Sequence, residues 1–233
     1  MLDEFYNRVR EKYSGSLVRT RTTRTLDENA KEYLNRLAKE GSVEKVAWGW
    51  YYIGDDAKDV WKFLENDKNF KVVIGQSAAS FWNHAFVHRD VVTLYVKDRS
   101  YGKALERFSK KKGWKVETYY SGDVQEYVKV GKLNVQKLEE NIIDCASKWA
   151  FVDAFATIYE NRRRIDLEKI AKDYYWNRLP GSDTRIGQVL GYAFRKFNDA
   201  LKKEVFPSYR TRLPDKFVRR TIDEAIEKVI EFA

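Results

Sequence analysis

The chain has 233 residues, of which 43% are hydrophobic, 34% charged and 15% aromatic. That is enough apolar surface for one large or two ordinary domains, and the aromatic content excludes a disordered chain. A net charge of +9 permits a polyanionic partner through counterion release, but the excess is spread along the chain, so local clusters must decide.

From the N-terminus, Phe5, Tyr6, Val9 and Tyr13 recur at helical spacing and predict an amphipathic helix over 3–13, ended by Ser14, Gly15 and Ser16. The segment LVRTRTTRTL then carries Arg19, Arg21 and Arg24 without one acid, among threonines that suit a short helix. Asp27 is the expected N-cap of a further helix, whose apolar set Ala30, Tyr33, Leu34, Leu37 and Ala38 follows the i, i+3, i+4, i+7, i+8 pattern. Gly41 supplies its stop. Two short β-prone runs, Val43 to Val46 and Trp50 to Ile53, flank Ala47, Trp48 and Gly49 and predict a hairpin. Trp50 or Tyr52 is expected to pack one face of that hairpin onto the third helix. Helix, short helix, helix, hairpin is the order of a winged helix-turn-helix, although helix followed by hairpin also occurs in other α+β domains.

Beyond Gly54 the pattern alternates. Helices are predicted near 56–67, 77–86 and 102–112, and strands at 71–75, 91–96, 114–120 and near 124–130. This is an α/β layer on one sheet. After Gly131 the pattern is helical, near 134–147, 149–161, 166–178, 183–203 and 215–232, with Asn134, Asp166, Ser182 and Asp215 at the N-cap positions. The N-terminal segment lacks an apolar signal core, and no run approaches the roughly 18 apolar residues of a membrane span. A cytoplasmic protein with no membrane partner is expected.

Residues 73–96, VIGQSAASFWNHAFVHRDVVTLYV, are the sharpest candidate for chemistry. Strand, small-residue turn, helix and strand resemble the start of a nucleotidyltransferase fold, in which the second strand carries two carboxylates for a pair of metal ions. Here Val91 and Thr93 stand at those positions, with only Asp90 and Asp98 at the strand ends. No catalytic residue, metal ligand or cofactor is therefore expected. His84 and His88 lack further zinc ligands, and Cys145, the single cysteine, is expected to be buried. The clusters Arg162 to Arg164 and Lys110 to Lys112 read as solvated helix ends. The run from Arg210 to Arg220 reads as a solvated basic tail, with contact to DNA or an acidic partner as the alternative.

The run YLNRLAKEGSVEKVAWGWYYI is similar to the winged helix of AbiEi-type antitoxins, transcriptional regulators of type IV toxin-antitoxin systems, with the wing's Gly-x-Tyr at Gly49, Trp50 and Tyr51. VVIGQSAASFW resembles the strand and helix that follow in that family, and KLEENIIDCASKWAFVDAFATI, IDLEKIAKDY and RIGQVLGYAF resemble its helical end. The resemblance covers residues 16–200 in order; the wing tip departs from it in carrying Trp48 where a basic residue is common. It implies a DNA-binding repressor of its own operon, opposing a nucleotidyltransferase toxin.

The resulting expectation is an α+β protein with a winged helix-turn-helix over 1–54. Residues 55–233 would form an antitoxin-like domain, divided into a non-catalytic, nucleotidyltransferase-like α/β layer at 55–131 and a helical bundle at 132–233. The expected partner is double-stranded DNA, with the oligomeric state open and a dimer on DNA as one form. Arg19, Arg21 and Arg24 would meet phosphates. Asn29, Glu32, Asn35, Arg36 and Lys39 would lie on the exposed face of the third helix, and Lys45 and Trp48 would belong to the wing. The alternatives are a nucleotidyltransferase-like enzyme and a winged helix that binds a protein.

Overall fold

The computed structural model describes residues 1–83, 90–120, 126–166, 170, 183–206 and 213–231. They form a mixed α+β fold with a helical C-terminal region. Two compact units are present, Met1–Val73 with Asp90–Val135, and Ile74–Arg89 with Gln136–Ala233. The boundary expected at 54/55 falls inside the first.

In the first unit, helix α1 (Leu2–Tyr13) buries Phe5, Val9 and Tyr13. Strand β1 (Ser16–Arg19) leads directly into a short helix α2 (Thr20–Thr23). This strand is absent from the sequence pattern, because what forms it is pairing with distant residues: Ser16 to Arg19 lie antiparallel to Ile53 to Trp50. Helix α3 (Ala30–Lys39) starts later than the Asp27 cap implied. Asp27 Oδ1 instead accepts the Asn29 N–H at 2.8 Å, a local turn that precedes the helix. At the other end Gly41, at φ +78°, lets the Ser42 N–H reach the Leu37 carbonyl at 2.9 Å, closing a Schellman motif. Strands β2 (Glu44–Ala47) and β3 (Trp50–Ile53) complete a three-stranded sheet in the order β1-β3-β2. Phe5, Val9, Leu34, Leu37, Tyr51 and Ile53 share one core.

Strand β3 is buried at every position, as a strand covered on both faces must be. Alternation sends Tyr51 and Ile53 toward α1 and α3. It sends Trp50 and Tyr52 the other way, against Tyr101 and Phe108 of helix α6 (Arg99–Lys111), with ring centroids 5.8 and 4.7 Å apart. The expected contact of Trp50 or Tyr52 with the third helix is thus corrected: Tyr51 makes it. Lys111 and Lys112, expected in solvent, pair with Glu44 at 3.2 and 3.3 Å, and Lys112 also with Asp56 at 2.7 Å.

The rest of the unit comprises helix α4 (Val60–Asn66), capped by Asp59, and a five-stranded sheet. Its strands are β4 (Lys71–Val73), β5 (Val91–Val96), β6 (Lys115–Tyr119), β7 (Tyr127–Val130) and β8 (Leu133–Gln136), in the order β6-β5-β4-β8-β7. Asn134 lies in β8 and donates to the Lys71 carbonyl at 3.0 Å, so it is no helix cap. Between the two sheets Asp67 is a buried junction. Its carboxylate accepts from the Leu17 N–H at 2.9 Å, the Tyr101 hydroxyl at 2.5 Å and Lys71 Nζ at 3.3 Å. Burial lowers the Lys71 pKa, and burial followed by the Asp67 charge holds the Tyr101 hydroxyl well above its usual range.

The second unit is built from helices α5 (Gly75–Trp82), α7 (Leu138–Ser147), α8 (Phe151–Asn161), α9 (Asp183–Leu201) and α10 (Lys216–Glu231). Phe155, Phe194, Phe197, Ile222 and Val229 anchor their core, and Cys145 is buried in it. Lys216, Arg219 and Arg220 do not belong to a solvated tail. They begin α10, which Asp215 caps by accepting the Val218 N–H at 2.9 Å, and whose Val218 and Ile222 enter the core. Arg162 donates to the Tyr159 carbonyl at 2.6 Å and lies over that ring. The helix expected over 166–178 lies mainly outside the described residues; His84, His88, Ser182, Arg210 and Arg212 lie wholly outside them. No helix among the described residues is long and apolar enough to cross a membrane.

Candidate nucleic-acid interface

The N-terminal end of α2 and the β2–β3 turn are held together by one carbonyl. Gly49 O accepts from the Thr20 N–H at 2.9 Å and from Thr20 Oγ1 at 3.3 Å. Ala47 pairs with Trp50, which leaves Trp48 and Gly49 as a two-residue turn. Gly49 has φ +72° and Trp48 is not among the positive-φ residues, so the left-handed position of the turn falls on the residue without a Cβ. The geometry leaves the Trp48 side chain 87% exposed.

Behind this turn lies a cleft of about 260 Å³. Arg19, Arg21 and Arg24 approach it from β1 and α2, Lys31 and Asn35 from α3, and Lys45, Trp48 and Tyr51 from the hairpin. Its five cations face no lining carboxylate. Arg24, Lys31 and Asn35 also line an adjoining trough along α3, together with Asn29, Arg36, Lys39 and the two acids Glu28 and Glu32. All ten residues singled out in the sequence thus border one continuous surface.

Their side chains are not equivalent. Asn35 Oδ1 accepts from the Tyr51 hydroxyl at 2.8 Å and from Lys45 Nζ at 3.2 Å, and its amide donates to the Lys31 carbonyl at 2.9 Å. It is a tie between helix and hairpin. Burial raises the Tyr51 pKa, keeping the hydroxyl protonated as the donor in that tie. Arg36 Nε is paired with Glu40 at 3.1 Å on the helix surface. Asn29 flanks α3 without a side-chain cap bond. Arg21, Arg24, Lys31 and Lys39 are exposed and have no ion-pair partner among the described residues.

Arg19 is held differently, 3.7 Å from Asp98, the N-cap of α6. Burial works against the Asp98 charge. Hydrogen bonds from Ser100 and Tyr101 and the Arg19 guanidinium outweigh it and hold the carboxyl below its usual range. This acid, remote in sequence from the arginines, offsets part of the charge at one end of the cleft. Lys31 and Tyr51 are further members missed in the sequence. Lys31 was legible, since it stands one turn before Asn35 on the same helix face. Asp98 carried no local signal.

In the α/β layer, Val91 and Thr93 both lie in β5. Asp90 pairs with Lys115 at 3.5 Å, and Asp98 is committed to the α6 cap. Among the described residues no group of three or more His, Cys, Asp or Glu is arranged to hold a metal ion.

No protein-family model matches the chain, and no curated protein matches it.

Proposed function

We propose that the first unit presents a winged helix-turn-helix that binds double-stranded DNA, and that the protein is a cytoplasmic transcriptional regulator. The observation that carries this reading is the cleft of five cations without a lining carboxylate, enclosed by α2, α3 and the hairpin. Such a surface gains affinity by displacing counterions from phosphates. The element order α1-β1-α2-α3-β2-β3 with strand order β1-β3-β2 supports it, since a winged helix places its third helix beside a hairpin in this way. Helix α3 then lies toward the major groove, and Arg21, Arg24 and Lys31 toward phosphates.

The resemblance to AbiEi-type antitoxins supports a narrower role: repression of the protein's own operon and opposition to a nucleotidyltransferase toxin. In that role the α/β layer is nucleotidyltransferase-like but non-catalytic, with Val91 and Thr93 in place of metal-binding carboxylates. Titration of purified protein into its own upstream DNA and into random duplex, at several salt concentrations, tests the reading. Binding should fall linearly in log K against log salt, with upstream DNA preferred. Salt-independent binding, or none at low salt, would reject it.

A further inference from the structure

We infer that Trp48 is an aromatic wedge that stacks on a nucleobase at a locally unstacked step of the bound duplex; the inference rests on the DNA-binding reading and deepens it. Trp48 is 87% exposed, and no hydrogen bond or ring contact holds its indole among the described residues. The turn does not require it, because the left-handed backbone position falls on Gly49 and not on Trp48. Yet the tip is fixed in space: Gly49 O is bound twice by Thr20, and the strands on either side are paired.

A solvent-facing indole on a fixed turn is therefore presented at the same cleft as Lys45, Arg21 and Arg24. Cations there can seat the phosphates that flank a step, while the ring meets the base between them. Apolar side chains that enter the minor groove use this division of labour, and the cost of unstacking is recovered through the added contact. The absence of a carboxylate lining the cleft favours a nucleic acid over a basic peptide, and the aromatic face favours a base over a bare anion.

The probe is a fluorescein-labelled mixed-sequence duplex of about 20 bp, intact or carrying one central abasic site opposite 2-aminopurine, where the unstacking cost is least. Wild type should bind the abasic duplex more tightly by about 5-fold or more and change the 2-aminopurine emission. Trp48→Ala should bind both duplexes equally with an unaltered salt slope, and Trp48→Phe should retain part of the preference. Equal binding of the two duplexes by wild type, or a preference that survives in Trp48→Ala, would overturn the wedge while leaving DNA binding intact. Tighter binding of the single strand than of either duplex would overturn the duplex step. Failure to bind any of these probes at low salt would overturn the DNA-binding reading and the wedge with it.

Discussion

The Tyr51 hydroxyl donates to Asn35 Oδ1 at 2.8 Å, joining the last strand of the N-terminal sheet to the exposed side of α3. Lys45 donates to the same oxygen, so one amide sets the spacing between helix and hairpin and thereby the width of the cationic cleft. Removing either partner should be felt in both stability and binding. Tyr51→Phe and Asn35→Ala should each cost about 0.5–1.5 kcal/mol in urea unfolding, and the double variant should fall short of their sum, because they share one bond. Full additivity would show that the bond contributes nothing.

Gly49→Ala should destabilise the first unit by about 1–2 kcal/mol, because an L-residue at φ +72° is strained. Space is not the obstacle, since a Cβ there would come no nearer than 3.9 Å to Thr20 Oγ1. Thermal unfolding would measure the loss, and a neutral result would mean that the turn relaxes to another form.

Asp98→Asn should tighten DNA binding and steepen its salt dependence by up to about 0.9, as Arg19 is released toward a phosphate. Asparagine still caps a helix, so stability should change little. Weaker binding by this variant would show that Asp98 positions Arg19 for contact rather than restraining it.

The Asp67 junction makes an alkaline prediction. Tyr101, fully buried, has its pKa raised by burial and then by Asp67. Its stabilising contribution is complete below the unfolded value of about 10 and is lost as pH rises above it. Lys71, with a lowered pKa, acts in the opposite sense: stability rises as pH climbs from its folded value toward about 10.4. Above that point only the tyrosine, of these two groups, still changes stability. Tyr101→Phe should therefore lose stability less steeply than wild type between about pH 10 and 11.5 in urea titrations. Parallel curves would dismiss the tyrosine as the alkaline trigger.

The periodic parts of the fold were legible in the sequence. Leu34 and Leu37 marked the inner face of α3, VVTLYV marked β5, and Asp215 marked the start of α10. What escaped was set by distant partners. Strand β1 has only Leu17 and Val18 to announce it and forms because β3 lies ready to pair. Strand β8 was hidden because Asn134, a good cap residue, binds the neighbouring strand instead. The facing of Trp50 and Tyr52 depended on α6, which follows some fifty residues later and covers the sheet's second side. Of the site, the residue types and their order could be read, whereas Asn35 as a tie and Asp98 as a counter-charge required the fold.

The salt dependence of DNA affinity in the variant Arg21→Ala/Arg24→Ala/Lys31→Ala decides whether this cleft meets phosphates. These three exposed cations border the cleft without ion-pair partners among the described residues. If they meet phosphates, the slope of log K against log salt should fall by up to about 2.7 relative to wild type, and binding to upstream and random duplex should weaken together. A slope equal to that of wild type, with the fold intact by circular dichroism, would contradict the assignment of this cleft to DNA.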